Sequence, residues 1–251
     1  MKVSSIKNKF ISLFPILLWI SVWMIASHFV NEKLILPSPY STFKSLIIIM
    51  STKIFYISIF HTIIKGLIGF AISTFLGIIL GFLCGLYDFI NQIFMPIITT
   101  IKSTPVISII FILILWFGTN LSPIFVSFLI SFPIIWTNVV EGIKNTDKNL
   151  LEMAKIYKIK KWRVLLNVYF PSILPYITAA MSSTLGIGWK ATITAEAISQ
   201  PKHAIGTNLF NSKMNLDISG LFAWTIAAII LSFFFEKIFR YIEKKITPWR
   251  I

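Results

Sequence analysis

Residues Asn149 to Ile177 read NLLEMAKIYKIKKWRVLLNVYFPSILPYI, a charged, amphipathic segment inside an otherwise membrane-like chain, and the rest of the molecule is organised around them. Asn149 followed three residues on by Glu152 has the spacing of a capping-box helix start, with Leu150, Met153, Ala154 and Tyr157 on one helical face. Lys155, Lys158, Lys160, Lys161 and Arg163 then put positive charge into a short connection, and such connections stay on the cytoplasmic side of a membrane. Pro171 and Pro175 open the next apolar run, where a proline in a first turn removes no intrahelical bond. A water-seeking helix of this kind implies something outside the bilayer that reads it.

Composition requires the bilayer independently. The 251 residues are 56% hydrophobic, 15% aromatic and only 13% charged, with a mean hydropathy of +0.83, too little polar surface to cover a soluble domain of this length. Apolar runs fall at 14–30, 60–86, 93–117, 121–140, 173–195 and 218–235, against a need of about 20 residues per span. The reading is an all-α membrane protein with six transmembrane helices, one domain over 1–251, and a cytoplasmic loop at 144–170. Residues 40–56 are interrupted by Ser, Thr and Lys and read as an interfacial helix. The basic start of Met1 to Val30 precedes an apolar run longer than a leader's, with no A-x-A-like site after it, so it is expected as a retained first helix.

Orientation follows from the cations. With the N-terminus inside, the internal segments hold three (Lys2, Lys7, Lys9), seven (Lys144 to Arg163) and five (Lys237 to Arg250). The external segments hold Lys33, Lys44, Lys53, Lys202 and Lys213. Both termini and the Glu152 loop are therefore expected in the cytoplasm. The formal charge of +14 is a topology signal, and nucleic acid is not a partner, because no basic cluster lies outside loops that topology already explains.

Gly69, Ser73, Gly77, Gly81 and Gly85 recur every four residues, a ridge without bulk against which a neighbouring backbone can approach closely. Its partner is either another helix of this chain or a second copy. Lys65 and Lys102 sit near span ends and read as snorkelling cations. Lys190 lies well inside the fifth run beside Trp189, at a depth that costs about 2.5–3.5 kcal/mol on insertion scales. Lys190, Trp189 and Glu196 are the candidates for lining a pathway, and the alternative for Lys190 is a structural pair with Glu196 or Glu141. The single Cys84 reads as a small buried hydrophobe, and His28, His61 and His203 lack ligand spacing, so no metal is expected. No phosphate loop, H-E-x-x-H or G-x-S-x-G occurs. The chain is not expected to be an enzyme.

The segment E-M-A-x-x-Y-K-x-x-K-W…F-P-x-x-x-P-Y-I resembles the cytoplasmic loop signature E-A-A-x-x-L-G…L-P-x-x-x-P-x-I of permease subunits of bacterial ATP-binding-cassette importers. Glu152, Ala154, Trp162, Pro171, Pro175 and Ile177 match, while Lys158 stands where the family has glycine. Leu36-Pro37-Ser38-Pro39, Trp116-Phe117-Gly118 and GIGWKATITAE at Gly186 to Glu196 are similar to further segments of the nitrate, sulfonate and taurine branch. Relatives often carry several prolines in the third span, where this chain keeps only Pro105.

The resemblance implies a type I importer permease in the bacterial cell membrane, with Glu152, Ala154, Lys158, Trp162, Pro171 and Pro175 in or beside a coupling helix. It also implies two ATPase subunits, a second permease copy, an extracytoplasmic substrate-binding protein, and a pathway for a small, anionic or polar solute worked by alternating access. Sulfonate, nitrate, taurine or a thiamine-precursor pyrimidine are the solutes implied. No cofactor is expected on this chain, since ATP would be used by the partner. From the residues alone, a secondary transporter or channel remains the competing class.

Overall fold

The computed structural model describes residues 3–246, with side chains from residue 14 onward except at 242, 244 and 246. Lys2, Lys7, Lys9, Lys244 and Arg250, which enter the orientation count, lie outside the described side chains. Among the described residues the elements are all helical: α1 (Val3–Val30), α2 (Pro39–Met50), α3 (Lys53–Leu86), α4 (Asp88–Ser103), α5 (Val106–Lys144), α6 (Lys148–Ile156), α7 (Lys161–Val164), a π-turn (Leu165–Tyr169), α8 (Phe170–Ser199), α9 (Ile205–Met214) and α10 (Ile218–Ile246). Four stretches are long and apolar enough to cross a bilayer, Lys53–Leu86, Val106–Lys144, Lys161–Ser199 and Ile218–Tyr241, and Phe14–Val30 is a shorter apolar helix.

Two of the expected boundaries move for local reasons. The segment 40–56 is not one interfacial helix. Ser38 accepts from the Ser41 N–H at 3.2 Å and starts α2, whereas the Thr52 hydroxyl accepts from the Phe55 N–H at 3.3 Å and starts α3. The last residues of the segment thus belong to a helix of 34 residues. The run 93–117 is likewise two helices, broken at Thr104 and Pro105, both extended. Pro105 has no N–H to continue α4 and disfavours helical geometry at the residue before it.

Gly118 folds α5 back on itself. Its φ of 72° and ψ of −179° lie in a region open essentially to glycine alone. Phe117 and Phe125 stack with ring centroids 4.0 Å apart, although eight residues of straight helix would separate them by about 12 Å. Ile109, Ile110 and Leu113 of the first arm share a core with Val126 and Leu129 of the second. The arms 106–117 and 119–144 therefore form a hairpin.

The second arm is the centre of the molecule, and the ridge of α3 lies against it. A Cβ added at Gly69 would fall 2.7 Å from the Ile124 carbonyl, at Gly77 2.8 Å from Ile135 Cγ2, at Gly81 2.9 Å from Val139 Cβ, and at Gly85 2.6 Å from Ile143 Cβ. Ser73 Oγ, also on the ridge, lies 3.1 Å from the Phe128 carbonyl. The neighbouring backbone is thus a helix of this same chain. Close approach of this kind holds helices together where lipid supplies no hydrophobic drive. The same Ile135, Val139 and Ile143 also meet α8, through Ile173, Ile177 and Ala180, so the three helices share one core.

The remaining elements close the end of the bundle at which α3 and α10 begin. Leu46 of α2, Phe55 of α3, Ile205 of α9 and Ala223, Trp224 and Ala227 of α10 form one buried cluster. The first helix is tied on through Trp23, whose indole N–H donates to the Pro37 carbonyl at 3.0 Å and whose ring stacks on Phe222. Cys84 is fully buried beside Phe132 and Trp136.

Candidate functional site

The segment 144–170 forms the expected helix with a different start. Asp147, not Asn149, caps α6, its carboxylate accepting from the Asn149 N–H at 2.8 Å. An Asx side chain two residues ahead outcompetes the Asn149 and Glu152 pairing because it reaches an orphan N–H with less chain to order. At the other end the Ile159 N–H donates to the Ala154 carbonyl at 2.9 Å and the Lys158 N–H to Lys155 at 3.1 Å. This double closure requires a left-handed residue, normally glycine. Lys158 takes it, at φ 50°. The turn keeps the geometry that a glycine would give, and the lysine holds it at a backbone cost of about 1 kcal/mol.

The faces of α6 divide sharply. Ala154 is 4% exposed, turned into the molecule, whereas Met153 and Ile156 of α6, Tyr157 at its C-cap and Trp162 of α7 are 52%, 75%, 73% and 68% exposed. Glu152, Lys155 and Lys158 are exposed among them. Pro171 and Pro175 follow, and Pro171 does not sit at a true helix start: α7 and the π-turn run straight into α8, giving one helical stretch from Lys161 to Ser199. Pro171 cannot donate to the preceding turn, and just before it the Phe170 N–H reaches back to Leu165. Ser172 Oγ satisfies the Val168 carbonyl at 2.7 Å.

Toward the other end of α8 the chain buries charge. Glu196 is fully buried, and its carboxylate is 3.4 Å from Lys65 Nζ. It accepts from Thr62 Oγ1 at 2.9 Å and from the Gly206 N–H in the first turn of α9 at 3.3 Å. The Thr62 hydroxyl accepts in turn from the Ile205 N–H at 3.0 Å, and Asn208 donates to Ser58 Oγ at 2.8 Å. Three elements, α3, α8 and α9, are stapled by this network. A carboxylate at a helix N-terminus also meets the positive end of the helix dipole.

These contacts correct the reading of two lysines. Lys65 does not snorkel to a headgroup; it is 8% exposed and is the counter-ion of Glu196. The signal was present in the spacing, since Ser58, Thr62 and Lys65 continue the face of Gly69 and Ser73 toward the start of α3 and so point inward. Lys190 is paired with neither Glu196 nor Glu141, and its ammonium has no partner among the described residues. It is exposed in a groove between α8 and α10, lined by Trp189, Thr194, Thr225, Ser232 and Glu236. Trp189 itself is buried, its ring tilted against Phe235 at 5.2 Å and over Gly66, where a Cβ would meet it at 3.2 Å. Lys102 donates to Thr137 Oγ1 at 2.8 Å. The sequence reading missed Thr62, Asp147 and Glu236, each of which gains its role from a neighbour supplied by the fold. Among the described residues no group of three or more His, Cys, Asp or Glu side chains could hold a metal ion.

Comparison with known proteins agrees with the architecture. The sequence profile of the family described as "Binding-protein-dependent transport system inner membrane component" matches residues 73–248. The chain is 26% identical over 237 residues to the putative aliphatic sulfonates transport permease protein of Bacillus subtilis, covering 92% of this chain and 84% of that one. It is 23% identical over 233 residues to the taurine transport system permease protein of Escherichia coli, covering 90% and 84%. With the formylaminopyrimidine transport permease protein of Halalkalibacterium halodurans it shares 24% identity over 232 residues, covering 91% of each. Multi-pass, all-helical and without an ATPase motif, the chain belongs to the binding-protein-dependent transport system inner membrane components, the permeases of ATP-binding-cassette importers, in which ATP hydrolysis falls to a separate subunit.

Proposed function

We propose that this chain forms the pathway of an importer for a small anionic or polar solute of the sulfonate, taurine or nitrate kind, working by alternating access. Two copies form the pathway in the bacterial cell membrane, two ATPase subunits bind below, and a substrate-binding protein delivers solute from outside. Both termini are cytoplasmic, and each copy crosses six times, α5 counting as two crossings with α4 joined to its first arm. The chain itself holds no cofactor. The name of the sulfonate relative supports an anionic solute and that of the taurine relative a sulfonate that also bears an amine, and that of the formylaminopyrimidine relative supports a small heterocycle as the alternative.

The observation that carries this reading is the surface of α6. Met153, Ile156 and Tyr157 are more than half exposed on a helix fixed at both ends by Asp147 and the Lys158 turn. Apolar surface left in water forgoes about 25 cal/mol per Å², and an apolar helix face fits a groove in a partner. ATPase closure would displace α6, and the packed helices would rock as bodies, because tightly interlocked interfaces switch between arrangements and do not stretch.

Met153→Asp with Tyr157→Asp tests this and leaves buried Ala154 in place. With the co-expressed ATPase and binding protein in proteoliposomes, uptake should fall at least tenfold and substrate-stimulated hydrolysis should disappear while the permease stays in the membrane. Parent-like stimulation in that variant would sink the docking role.

A further inference from the structure

The groove that holds Lys190 carries a charge of each sign. Lys190 and Glu236 both line it, with the hydroxyl-bearing Thr194, Thr225 and Ser232 between apolar walls of Trp189, Ile229 and Phe233. Glu236 comes from α10, where Arg240 Nη2 lies 2.6 Å from its Oε1. The other carboxylate oxygen has no partner among the described residues. Lys190 and Glu236 line one space without pairing with each other, so a bound molecule would meet a cation and a carboxylate at once.

Glu236 also stands where three cavities meet. The first is the Lys190 groove. The second is a small internal space reaching Ser127, Thr184 and Gly188. In it Ser127 Oγ is buried without a hydrogen-bond partner, as is the Trp189 indole N–H. A Cβ at Gly188 would fall 2.7 Å from Ser131 Oγ and 3.3 Å from Ser127 Oγ, so it is the glycine that leaves these hydroxyls room. The third runs from Phe233 and Glu236 along α10 to Lys237, Arg240 and Tyr241. Spaces sharing Glu236 therefore lead from the middle of α8 to the charged end of α10.

We propose that the groove between α8 and α10 is a transmembrane subsite for a small zwitterion, Lys190 taking its anionic end and Glu236 its ammonium end. This rests on the importer reading above and adds the solute's charge pattern. A simple anion is matched less well, because it leaves the Glu236 oxygen that Arg240 does not hold without a donor. Opposite charges placed on opposite ends of a ligand select by penalising the wrong partner as much as by attracting the right one. A phosphatidylethanolamine headgroup carries the same two charges, and the test separates it from a soluble solute.

The probe is a thiol at Thr194→Cys, one turn from Lys190, in a Cys84→Ala background, with the permease and ATPase complex in phosphatidylcholine nanodiscs. A membrane-impermeant maleimide should label it in at least one nucleotide state. 2-Aminoethanesulfonate at millimolar concentration should slow labelling at least fivefold, and ethanesulfonate should slow it less. Lys190→Met should remove protection by both compounds, and Glu236→Gln should remove the advantage of the amino compound only. Absence of labelling in every state, equal protection by the two compounds, or an unchanged pattern in Glu236→Gln would each overturn the subsite. So would slowing by phosphatidylethanolamine nanodiscs with no further effect of the soluble probe. A permease that purifies without any ATPase would instead defeat the importer reading, so the two failures are distinct.

Discussion

Removing Lys65 should expose how much the buried staple contributes. Lys65→Met keeps the length of the side chain and deletes its charge, leaving the Glu196 carboxylate fully buried with two neutral donors, Thr62 and Gly206. At 3.4 Å and an effective dielectric near 20, the lost attraction is about 5 kcal/mol. Relaxation and partial neutralisation bring the expected loss into the range of about 3–5 kcal/mol seen for broken buried pairs. Glu196→Gln should cost a similar amount by stranding the ammonium. The double variant, with no buried charge left, should be far less damaged than the sum, by about 2–4 kcal/mol of coupling. Reversible unfolding of the purified permease in mixed detergent micelles, read by tryptophan fluorescence, measures all three. Single variants that each lose less than about 1 kcal/mol and add in the double would refute the staple.

Other perturbations follow from specific contacts. Gly77→Leu and Gly81→Leu would drive a side chain into Ile135 and Val139, where even a Cβ falls within 3 Å, so folded permease recovered from membranes should drop severely, whereas Gly186→Leu, with open space around it, should be recovered like the parent. Gly118→Ala meets no neighbour, so its cost is purely backbone, about 1–3 kcal/mol in the same unfolding assay. Lys158→Gly relieves the left-handed turn and should stabilise the end of α6 by up to about 1 kcal/mol, seen as slower amide exchange at Ile159. Asp147→Ala removes the cap and should cost about 1 kcal/mol locally, seen as faster exchange at Asn149.

Much of the fold was legible because lipid imposes long apolar runs, and α3, α8 and α10 contain theirs nearly intact. The face of α3 was legible too, since five small residues four apart can share only one side of a helix. Pairings were not. Lys65 and Glu196 are separated by 131 residues, and hydropathy assigns a lysine a depth without assigning it a direction. The break at Pro105 was hidden by the apolar continuity of its neighbours, although the proline itself marks it. Ala154 looked like part of the docking face because periodicity cannot tell which side of an amphipathic helix meets its own molecule and which meets another. Met153 and Ala154, adjacent in sequence and about 100° apart around the helix, fall on its exposed and its buried side.

The π-turn at Leu165–Tyr169 has a consequence for how this protein can vary. A single π-turn in an α-helix amounts to one residue inserted into the regular winding. Everything on the N-terminal side of it is therefore rotated by about 100° relative to an uninterrupted helix, and that offset sets the azimuth at which α7 and the loop from Lys158 join α8. Loss of one residue between Leu165 and Tyr169 would restore ordinary winding without disturbing the face that α8 shows to α5. It would swing α6 and α7 to a new bearing. Relatives that differ here by a one-residue gap would keep the same helix packing and carry the helix equivalent to α6 at a different angle.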